Sequence, residues 1–575
     1  MTDRILFILV LFFGVVANAQ IPTTEVGVDV SVFPQEKVAL SINDNVLLAG
    51  ELLQYKSYVL DHSNKPSNLS KLVYVSMRNE ADSIVFTHKL RVENGNANGD
   101  FFIPSSLNTG VYSLIAYTNF SLNNAENAFD EKKIQVINTF VKTEVASQVT
   151  DTLKLNLLSV NPNEISGLTD NSETIRINTD KKEYGLREKV NLNIEPSNQL
   201  NGNFTLSVRK ITPINVSGKI SKSKRIDSSD KFYIPELRGE LISGRVLSKT
   251  DKNPAANKTV SLTIPGEDYV FKLAKTNAQG RFFFSITEGY HADESIIQLY
   301  ETQGSDTDYA IYLDKKRLNL EKNDRTFLRL DPSLKNWLET RSVQMQIENA
   351  YFDVKKDSVL DLDNTPPFYD HLGTLFLLDD YTRFPSIRET FIEVVSLAAI
   401  RGSEDNYRFS VNNAYDPNRL AKFNDLPPLV LMDGMLVQDN NEVVNFNSRA
   451  VHSIRVITQP YRYGPKIYSG VIAIETKSGD FVPNLSKKYV ETIKLPPAVG
   501  EKYSYSPQYK TGNTLSRIPD YRAQLLWEPK LNLSNGMYST SFYTSDVPGT
   551  YRIHLQGYTE EGKYISLKKY IYIVE

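Results

Sequence analysis

The chain alternates short apolar runs with turn residues along most of its length. In Lys37–Ile42, and again in Val190–Ile194, apolar and polar residues alternate, which is the period of a strand with one face on a core. Leu429–Met432, Ile454–Ile457 and Val471–Glu475 are strand-length runs rich in Val and Ile. Together with 32 Tyr and 27 Phe, this pattern predicts a mainly β protein built of several sandwiches.

One segment has the period of a helix instead. In Ser386–Arg401, Ser386 is placed to cap the N-terminus, and five apolar positions share one helical face: Ile387, Phe391, Val394, Val395 and Ala398. Such a stripe is more often core packing than a partner groove, and we expect it to cover a small sheet. Residues 314–375 are predicted as a connector with one strand, and 483–517 as an exposed linker.

The three Val- and Ile-rich runs are joined by turn chemistry in an unusual order. Asp433-Gly434 follows the first run, and Tyr463-Gly464-Pro465 precedes the third. The stretch 428–479 resembles the plug domain of TonB-dependent outer-membrane receptors. The resemblance implies a small α+β plug-like domain at 376–482. Only about a hundred residues follow it, without the strand series of a barrel, so we expect no transport by this chain alone.

The N-terminal part predicts a first sandwich at 25–140, in which Leu48–Glu51 and Gly110–Asn119 resemble the second domain type of α2-macroglobulins. The form is the one seen in large Bacteroidetes envelope proteins. After a connector at 141–170, a similar pattern begins in 171–236, but its closing strands follow only in 518–575. Because half a sandwich would leave a long sheet edge and half a core in water, we predict one split macroglobulin-like domain. The alternative is two small independent domains.

A different β-module begins the insertion, at 239–313. Leu241–Leu247, Thr259–Ile264 and Ala274–Ile286 alternate as strands, with a hairpin turn at Asn277–Gly280. These residues resemble the carboxypeptidase-regulatory-like domain, a small prealbumin-type sandwich. The resemblance implies an accessory module without peptidase activity.

The first residues resemble a secretory leader. Ile5–Val16 is apolar, and Ala17-Asn18-Ala19 is a cleavage pattern, which predicts a signal peptide at 1–19; the run is short for a membrane anchor. The net charge of −3 argues against nucleic-acid binding. The absence of cysteine excludes disulfides, thiolate zinc sites, lipid attachment at cysteine and a thioester trap. We expect an exported protein, periplasmic or associated with the outer membrane of a Gram-negative bacterium.

Little in the sequence suggests catalysis. His291-Ala292-Asp293-Glu294 has the H-x-x-E spacing of metallocarboxypeptidases, but no third ligand is identifiable. An acidic neighbourhood between Asp361 and Asp380 lacks the spacing of an EF-hand loop, and a solvated loop is the simpler interpretation. It comprises Asp361, Asp363, Asp370, Asp379 and Asp380. We therefore predict no catalytic residue, no cofactor-binding residue and no metal site.

These observations favour a non-enzymatic adaptor or binding protein of the cell envelope. Its sandwiches would act as spacers and the plug-like insert as the recognition part, with envelope proteins as partners, including an outer-membrane β-barrel receptor. Two alternatives remain open. One is a periplasmic hydrolase with an interdomain site, which requires His291, His371 and the acidic loop to converge. The other is a non-covalent macroglobulin-like protease inhibitor.

Overall fold

The computed structural model describes most of the chain, and most of its regular structure is β. The described residues are 33–124, 128–141, 152–158, 174–218, 232–266, 268–300, 308–314, 318, 320, 326–360, 365–404, 406–412, 423, 425–483, 489–509, 517–534 and 536–575. The predicted fold class, mainly β with several sandwiches, is confirmed. In these ranges no helix has the length and apolar character needed to cross a bilayer. The predicted leader lies outside the described residues, and the predicted domain limits stay predictions.

The strands follow one another in this order along the chain. The first group is β1 (Glu36–Ile42), β2 (Val46–Leu48), β3 (Leu52–Asp61), β4 (Leu72–Asn79), β5 (Ile84–Arg91), β6 (Asn96–Phe102), β7 (Gly110–Tyr117), β8 (Asp130–Ile137) and β9 (Thr152–Leu157). The second is β10 (Ile175–Thr179), β11 (Glu183–Tyr184), β12 (Lys189–Pro196), β13 (Leu200–Lys210) and β14 (Ile214–Gly218). The third is β15 (Glu240–Ser248), β16 (Thr259–Ile264), β17 (Val270–Lys275), β18 (Arg281–Ile286), β19 (Glu294–Tyr300), β20 (Tyr309–Leu313), β21 (Phe327–Leu330) and β22 (Ser358–Val359).

The remaining strands and the helices complete the description. The strands are β23 (Thr374–Leu377), β24 (Ala398–Arg401), β25 (Arg408–Val411), β26 (Leu429–Met432), β27 (Met435–Leu436), β28 (Val451–Ile457), β29 (Tyr461–Tyr463), β30 (Lys466–Tyr468), β31 (Val471–Thr476), β32 (Val490–Lys494), β33 (Lys502–Tyr503), β34 (Gln524–Leu533), β35 (Tyr538–Tyr543), β36 (Gly549–Thr559) and β37 (Tyr564–Ile573). The α-helices are α1 (Lys335–Ala350), α2 (Ile387–Glu393) and α3 (Asn440–Val444). Short 3₁₀ turns lie at Ser121–Asn123, Pro332–Leu334, Phe352–Val354, Leu378–Asp380 and Ser448–Ala450.

The first sandwich consists of β1 to β8. Strands β1, β3 and β6 form one sheet, and β2, β8, β7, β4 and β5 form the other. Leu53, Val75 and Leu114 are completely buried in its core. This is the packing expected when alternate residues of two facing sheets point inward.

The second sandwich joins two segments from opposite parts of the chain. Its larger sheet has the order β11-β37-β36-β13-β34, and its smaller sheet has the order β10-β12-β35. Both neighbours of β13 therefore come from the C-terminal segment, and β12 pairs with β35. Leu192 and Tyr551, hundreds of positions apart, lie in one core, and neither side chain is exposed. Without the C-terminal strands, β13 would have two open edges.

A smaller sandwich follows in the insertion. Its sheets have the orders β18-β15-β20 and β17-β16-β19-β32. Asn277–Gly280 forms the predicted turn, in which Gly280 has a φ of +69° and its N–H donates to the Asn277 carbonyl. Strand β32 lies within 483–517, which was predicted to be an exposed linker. That prediction is wrong here, because Val490–Lys494 pairs with β19 and Val490 is buried.

The predicted connector 314–375 contains more regular structure than one strand. Strand β21 joins β9 and β14 in a three-stranded sheet, and helix α1 follows it after one 3₁₀ turn. Helix α1 buries only two of its residues, Ser342 and Met345. Its sequence therefore does not need, and does not show, a continuous apolar stripe. A start signal is nevertheless present, because the Asp331 carboxylate accepts from the Ser333 N–H and Pro332 opens the turn before the helix.

Helix α1 is held on the first sandwich by an ion pair that is mostly buried. The Arg341 guanidinium donates to both oxygens of Glu51, at 2.7 and 2.6 Å. Arg209, from the second sandwich, donates to Asp44 of the first at 3.0 Å. Burial by itself would raise the pKa of Asp44, but Arg209 and Arg341 beside it hold that pKa below its usual value. The cluster therefore fixes three parts of the chain to one another.

A buried lysine marks the interface between the first and second sandwiches. Lys56 is completely buried, and its Nζ donates to the carbonyls of Phe204 at 3.0 Å and Pro529 at 2.5 Å. The ammonium group also lies 4.7 Å from the centre of the Tyr58 ring. Burial lowers the pKa of Lys56 to about 7. The charged form of this side chain is therefore costly in the folded protein.

Replacing Lys56 tests this interface through its pH dependence. Between pH 7 and the ordinary lysine pKa, the unfolded chain keeps the proton that the folded protein has lost, so raising the pH stabilises the folded state. Relative to Lys56→Met, the wild type should gain about 2 kcal/mol in free energy of unfolding between pH 7 and pH 9, measured by urea titration. Lys335→Met, at an exposed position of α1, is the control and should leave the pH dependence unchanged. Parallel curves for the wild type and Lys56→Met would contradict the assignment.

Candidate recognition site

Four strands of the segment predicted to be plug-like, together with β23, which begins just before its start, form one five-stranded sheet, which we call the plug-like sheet. Its order is β23-β28-β31-β26-β27, with β26 and β31 parallel and the other pairs antiparallel. The three runs predicted as strands are confirmed as β26, β28 and β31. All four residues of β26 are buried, as are the first four of β31. Continuous burial of this kind means that both faces of the sheet are covered.

The Asp433-Gly434 turn closes the hairpin between β26 and β27. Both residues have positive φ, 47° and 75°, and Met432 pairs with Met435 across the turn. This matches the two-residue turn that Asp-Gly favours. The buried Asp433 carboxylate also accepts from the Thr476 N–H at 2.7 Å and from the Thr476 hydroxyl at 2.6 Å. The turn is thereby fastened to the end of β31.

One face of the sheet is covered by α2, α3 and the β24–β25 hairpin. Ser386 caps α2 as predicted, accepting from the Glu389 N–H at 3.2 Å. The predicted helix to Arg401 is wrong in its second half, because α2 ends at Glu393. The N–H groups of Val394 and Val395 both donate to Thr390, which ends the i−4 pattern, and Ala398–Arg401 continues as a strand. The five apolar side chains of the stripe are buried, but they run from a helix into a strand and do not lie on one continuous helix.

The opposite face is covered by the small sandwich through aromatic side chains. Phe271 stacks on Tyr463 with ring centres 5.2 Å apart, and the Tyr463 hydroxyl donates to the Phe271 carbonyl. The hydroxyl of Tyr269 donates to that of Tyr369. Burial raises the pKa of Tyr463 and of Tyr369, so both phenols are neutral at physiological pH. We call this contact the aromatic seam: Tyr269, Phe271, Tyr300, Phe368, Tyr369, Tyr461, Tyr463 and Tyr468.

Two turn glycines let the seam close. A Cβ on Gly434 would lie 2.2 Å from the Tyr269 ring, and one on Gly464 would lie 3.1 Å from the Leu273 Cβ. Polar bonds add to the contact, since Gln298 Nε2 donates to the Leu436 carbonyl at 3.0 Å. The Asp-Gly dipeptide thus serves both the hairpin and the approach of the neighbouring sandwich. The plug-like sheet is therefore fixed to the sandwich.

The sheet ends in β23 on one side and in β27 on the other. Strand β27 has only two residues, both buried, and its Leu436 carbonyl accepts from Gln298, so β23 is the accessible edge. It pairs with β28 on one side, and in the described part of the chain no strand lies on its other side. Phe376 points into the core, whereas Leu375 and Leu377 are 41% and 39% exposed. A partner strand can add to an unpaired edge strand of this kind, and the two exposed leucines offer it an apolar contact. We regard β23 as the candidate recognition edge.

The residues considered for catalysis or metal binding have other surroundings. Asp370 pairs with Arg455 at 3.1 Å, and Asp379 pairs with Arg383. The hydrogen bond from Arg383 lowers the pKa of Asp379. Glu294 begins β19, just after His291. Asp361 and Asp363 lie outside the described residues.

The described residues bring none of these groups together as a metal centre. No three of their His, Asp or Glu side chains could hold a metal ion, and this includes His291, His371 and Asp380. The convergence that the hydrolase alternative requires is therefore not seen in the part of the chain that the structure describes.

Sequence reasoning missed the aromatic seam. Tyr269 and Phe271 lie in the small sandwich, far in sequence from the turns that they contact. Their signal was present only as two large aromatic residues flanking the start of β17, a common pattern in strands. Only the tertiary structure places Tyr269 over Gly434 and Phe271 on Tyr463.

No family model matches the sequence, and no curated protein matches it. Among solved structures, trypsin-activated alpha-2-macroglobulin from Escherichia coli is 9% identical over 94% of this chain and 42% of its own, with a TM-score of 0.24. The native conformation of the E. coli protein is 10% identical over 96% and 41%, with a TM-score of 0.23. Dimeric latent PorU from Porphyromonas gingivalis is 12% identical over 52% and 34%, with a TM-score of 0.15. The chain spans less than half the length of these proteins, and TM-scores this low assign it no function.

Substituting Gly434 tests the closeness of the seam. Gly434→Ala should lose about 1–2 kcal/mol through its positive φ and a further 1–3 kcal/mol through overlap with Tyr269, measured as the free energy of unfolding. Gly479→Ala is a matched control, because Gly479 has a φ of +64° but nothing within 4 Å of an added Cβ. It should show the conformational cost alone. Equal losses in the two variants would contradict the seam as described.

Proposed function

We propose that this chain is a non-enzymatic adaptor or binding protein of the bacterial envelope, with the plug-like sheet as its recognition part. The observation that carries the proposal is the way this sheet is held. Helices cover one face, the aromatic seam covers the other, and β23 is left as an open edge with exposed Leu375 and Leu377. A sheet fixed in this way presents an edge to a partner without needing to rearrange.

The surroundings of the titratable groups support binding rather than chemistry. Asp370 and Asp379 are engaged by arginines at the surface, and Asp433 is engaged by Thr476 inside the fold. An active site needs a nucleophile or base aimed at a shared reacting position. The polar clusters described above instead hold modules together, as Glu51 and Arg341 do.

The envelope location rests on the sequence. The leader-like residues 1–19 favour export, and the absence of cysteine fits a disulfide-free periplasmic protein. The resemblance of 428–479 to receptor plugs makes an outer-membrane β-barrel receptor, or another outer-membrane complex, the partner we propose. This step is an analogy between modules.

The geometry of β23 defines how such a partner would bind. An added strand would gain main-chain hydrogen bonds along the open edge, and apolar side chains at alternate positions would contact Leu375 and Leu377. Because β23 has only four residues, the contact would be short and would need support from the neighbouring surface.

Affinity purification from the native envelope after mild crosslinking tests the proposal. The tagged full chain should recover a barrel receptor or another outer-membrane complex. Leu375→Lys/Leu377→Lys should reduce that recovery severalfold, because two lysines oppose a dry apolar contact without disturbing the buried face of β23.

The control also replaces two exposed apolar residues by lysine, but on other edge strands. Ile84→Lys/Phe102→Lys alters exposed apolar residues of the first sandwich and should leave recovery unchanged. Recovery of the tagged protein alone from the wild type would count against the adaptor function. Equal recovery by both double variants would count against β23 as the contact.

A further inference from the structure

A cleft lies where the first sandwich meets the small sandwich of the insertion. Its volume is about 160 Å³, and its walls come from β4, β5, the segment leading into β15 and the turn after β18. At its floor, Lys89 donates to Glu240 at 2.6 Å, and the Tyr290 hydroxyl donates to the same carboxylate at 2.6 Å. All three of these side chains are buried. The floor of the cleft is therefore polar and held in place by hydrogen bonds, and the charges of Lys89 and Glu240 neutralise each other.

Each carboxylate that lines the cleft is paired with a lysine. Glu240 is paired with Lys89, as described. Glu288 is paired with Lys272 at 2.5 Å, and Glu93 with Lys530 at 3.3 Å, a lysine that also pairs with Glu501. Glu240 and Glu288 therefore contribute little negative potential to the cleft, whereas the charge of Glu93 is only partly neutralised.

Three cations of the same cleft have no carboxylate partner among the described residues. They are Lys71, Arg91 and Arg238. The Arg91 guanidinium donates to the backbone carbonyls of Thr287 at 3.2 Å and Glu288 at 2.6 Å. These contacts hold it in place, and because a carbonyl has no net charge they do not neutralise it. The side chains of Lys71 and Arg238 are exposed and, within the described part of the chain, make no hydrogen bond or ion pair. A concave site in which three cations outnumber the one partly neutralised carboxylate, Glu93, attracts anions.

We propose that this cleft binds a phosphate group, held between Lys71, Arg91 and Arg238. A tetrahedral oxyanion presents oxygens in several directions and can accept from three separate cations at once, whereas a single carboxylate offers two oxygens in one plane. The bound group would connect the first sandwich with the segment that enters the small sandwich. This site is separate from β23 and does not depend on the proposed partner.

Titration calorimetry with inorganic phosphate, on the purified full chain at low ionic strength, tests the site. The wild type should give saturable binding, and Lys71→Gln/Arg238→Gln should weaken it at least about tenfold, because two charge-assisted contacts are lost. Both positions are exposed, so the variant should fold, and an unchanged melting temperature without phosphate checks this. Lys189→Gln/Arg401→Gln removes the same charges at exposed positions that do not line the cleft and should bind like the wild type.

A second arm distinguishes a free phosphate from a lipid headgroup. Sedimentation with phosphatidylcholine vesicles, with and without phosphatidic acid, should show binding only to the vesicles that contain phosphatidic acid if the phosphate is presented by a membrane. That binding should be lost in Lys71→Gln/Arg238→Gln. Calorimetric binding without vesicle binding identifies a soluble phosphate as the ligand. Failure of both phosphate and vesicles to bind, or equal binding by the two double variants, would overturn the proposal.

Discussion

The architecture depends on the placement of β13 between two strands from the far end of the chain. Its backbone bonds to β34 on one side and β36 on the other, so neither edge of this strand is left open. Leu206 and Leu555 pair across this junction, and both are completely buried. Because the chain must return to complete this sheet, everything between β14 and β34 is an insertion with both ends anchored. Loop-closure entropy rises only slowly with length, so such a long insertion is tolerable.

The rest of the molecule restrains that insertion further. The first sandwich contacts the second through Lys56, α1 through Glu51 and the insertion through Lys89. Such buried polar contacts lose much of their value if one partner is displaced, so they favour one arrangement of the modules over others. The aromatic seam then fixes the plug-like sheet to the small sandwich. A recognition edge carried on this frame has little freedom left to lose on binding, which is the physical basis of the proposed adaptor function.

The sequence predicted elements whose signal is local. The Asp433-Gly434 turn follows from the dipeptide itself, and the strands around it follow from their Val and Ile content. Helix α1 was not predicted because it is mostly exposed and its sequence has no apolar stripe. The end of α2 was placed too late because Ala398, which fits the helical stripe, is in fact buried as part of a strand. The seam and the phosphate cleft lie between modules. No local pattern marks Tyr269 as the neighbour of Gly434, or Arg238 as the neighbour of Arg91.

An engineered disulfide across β12 and β35 tests the closure of the second sandwich most directly. The natural chain has no cysteine, and Asn193 lies opposite Ser539 on the outward side of this pair. Directly paired residues are within disulfide reach, whereas Arg176 of β10 is separated from β35 by a whole strand, at least about 9–10 Å. Asn193→Cys/Ser539→Cys should therefore form an intramolecular disulfide under mild oxidation, seen as a mobility shift on a non-reducing gel, and Arg176→Cys/Ser539→Cys should not. Absence of the crosslink in the first variant, or equal crosslinking in both, would contradict the split sandwich.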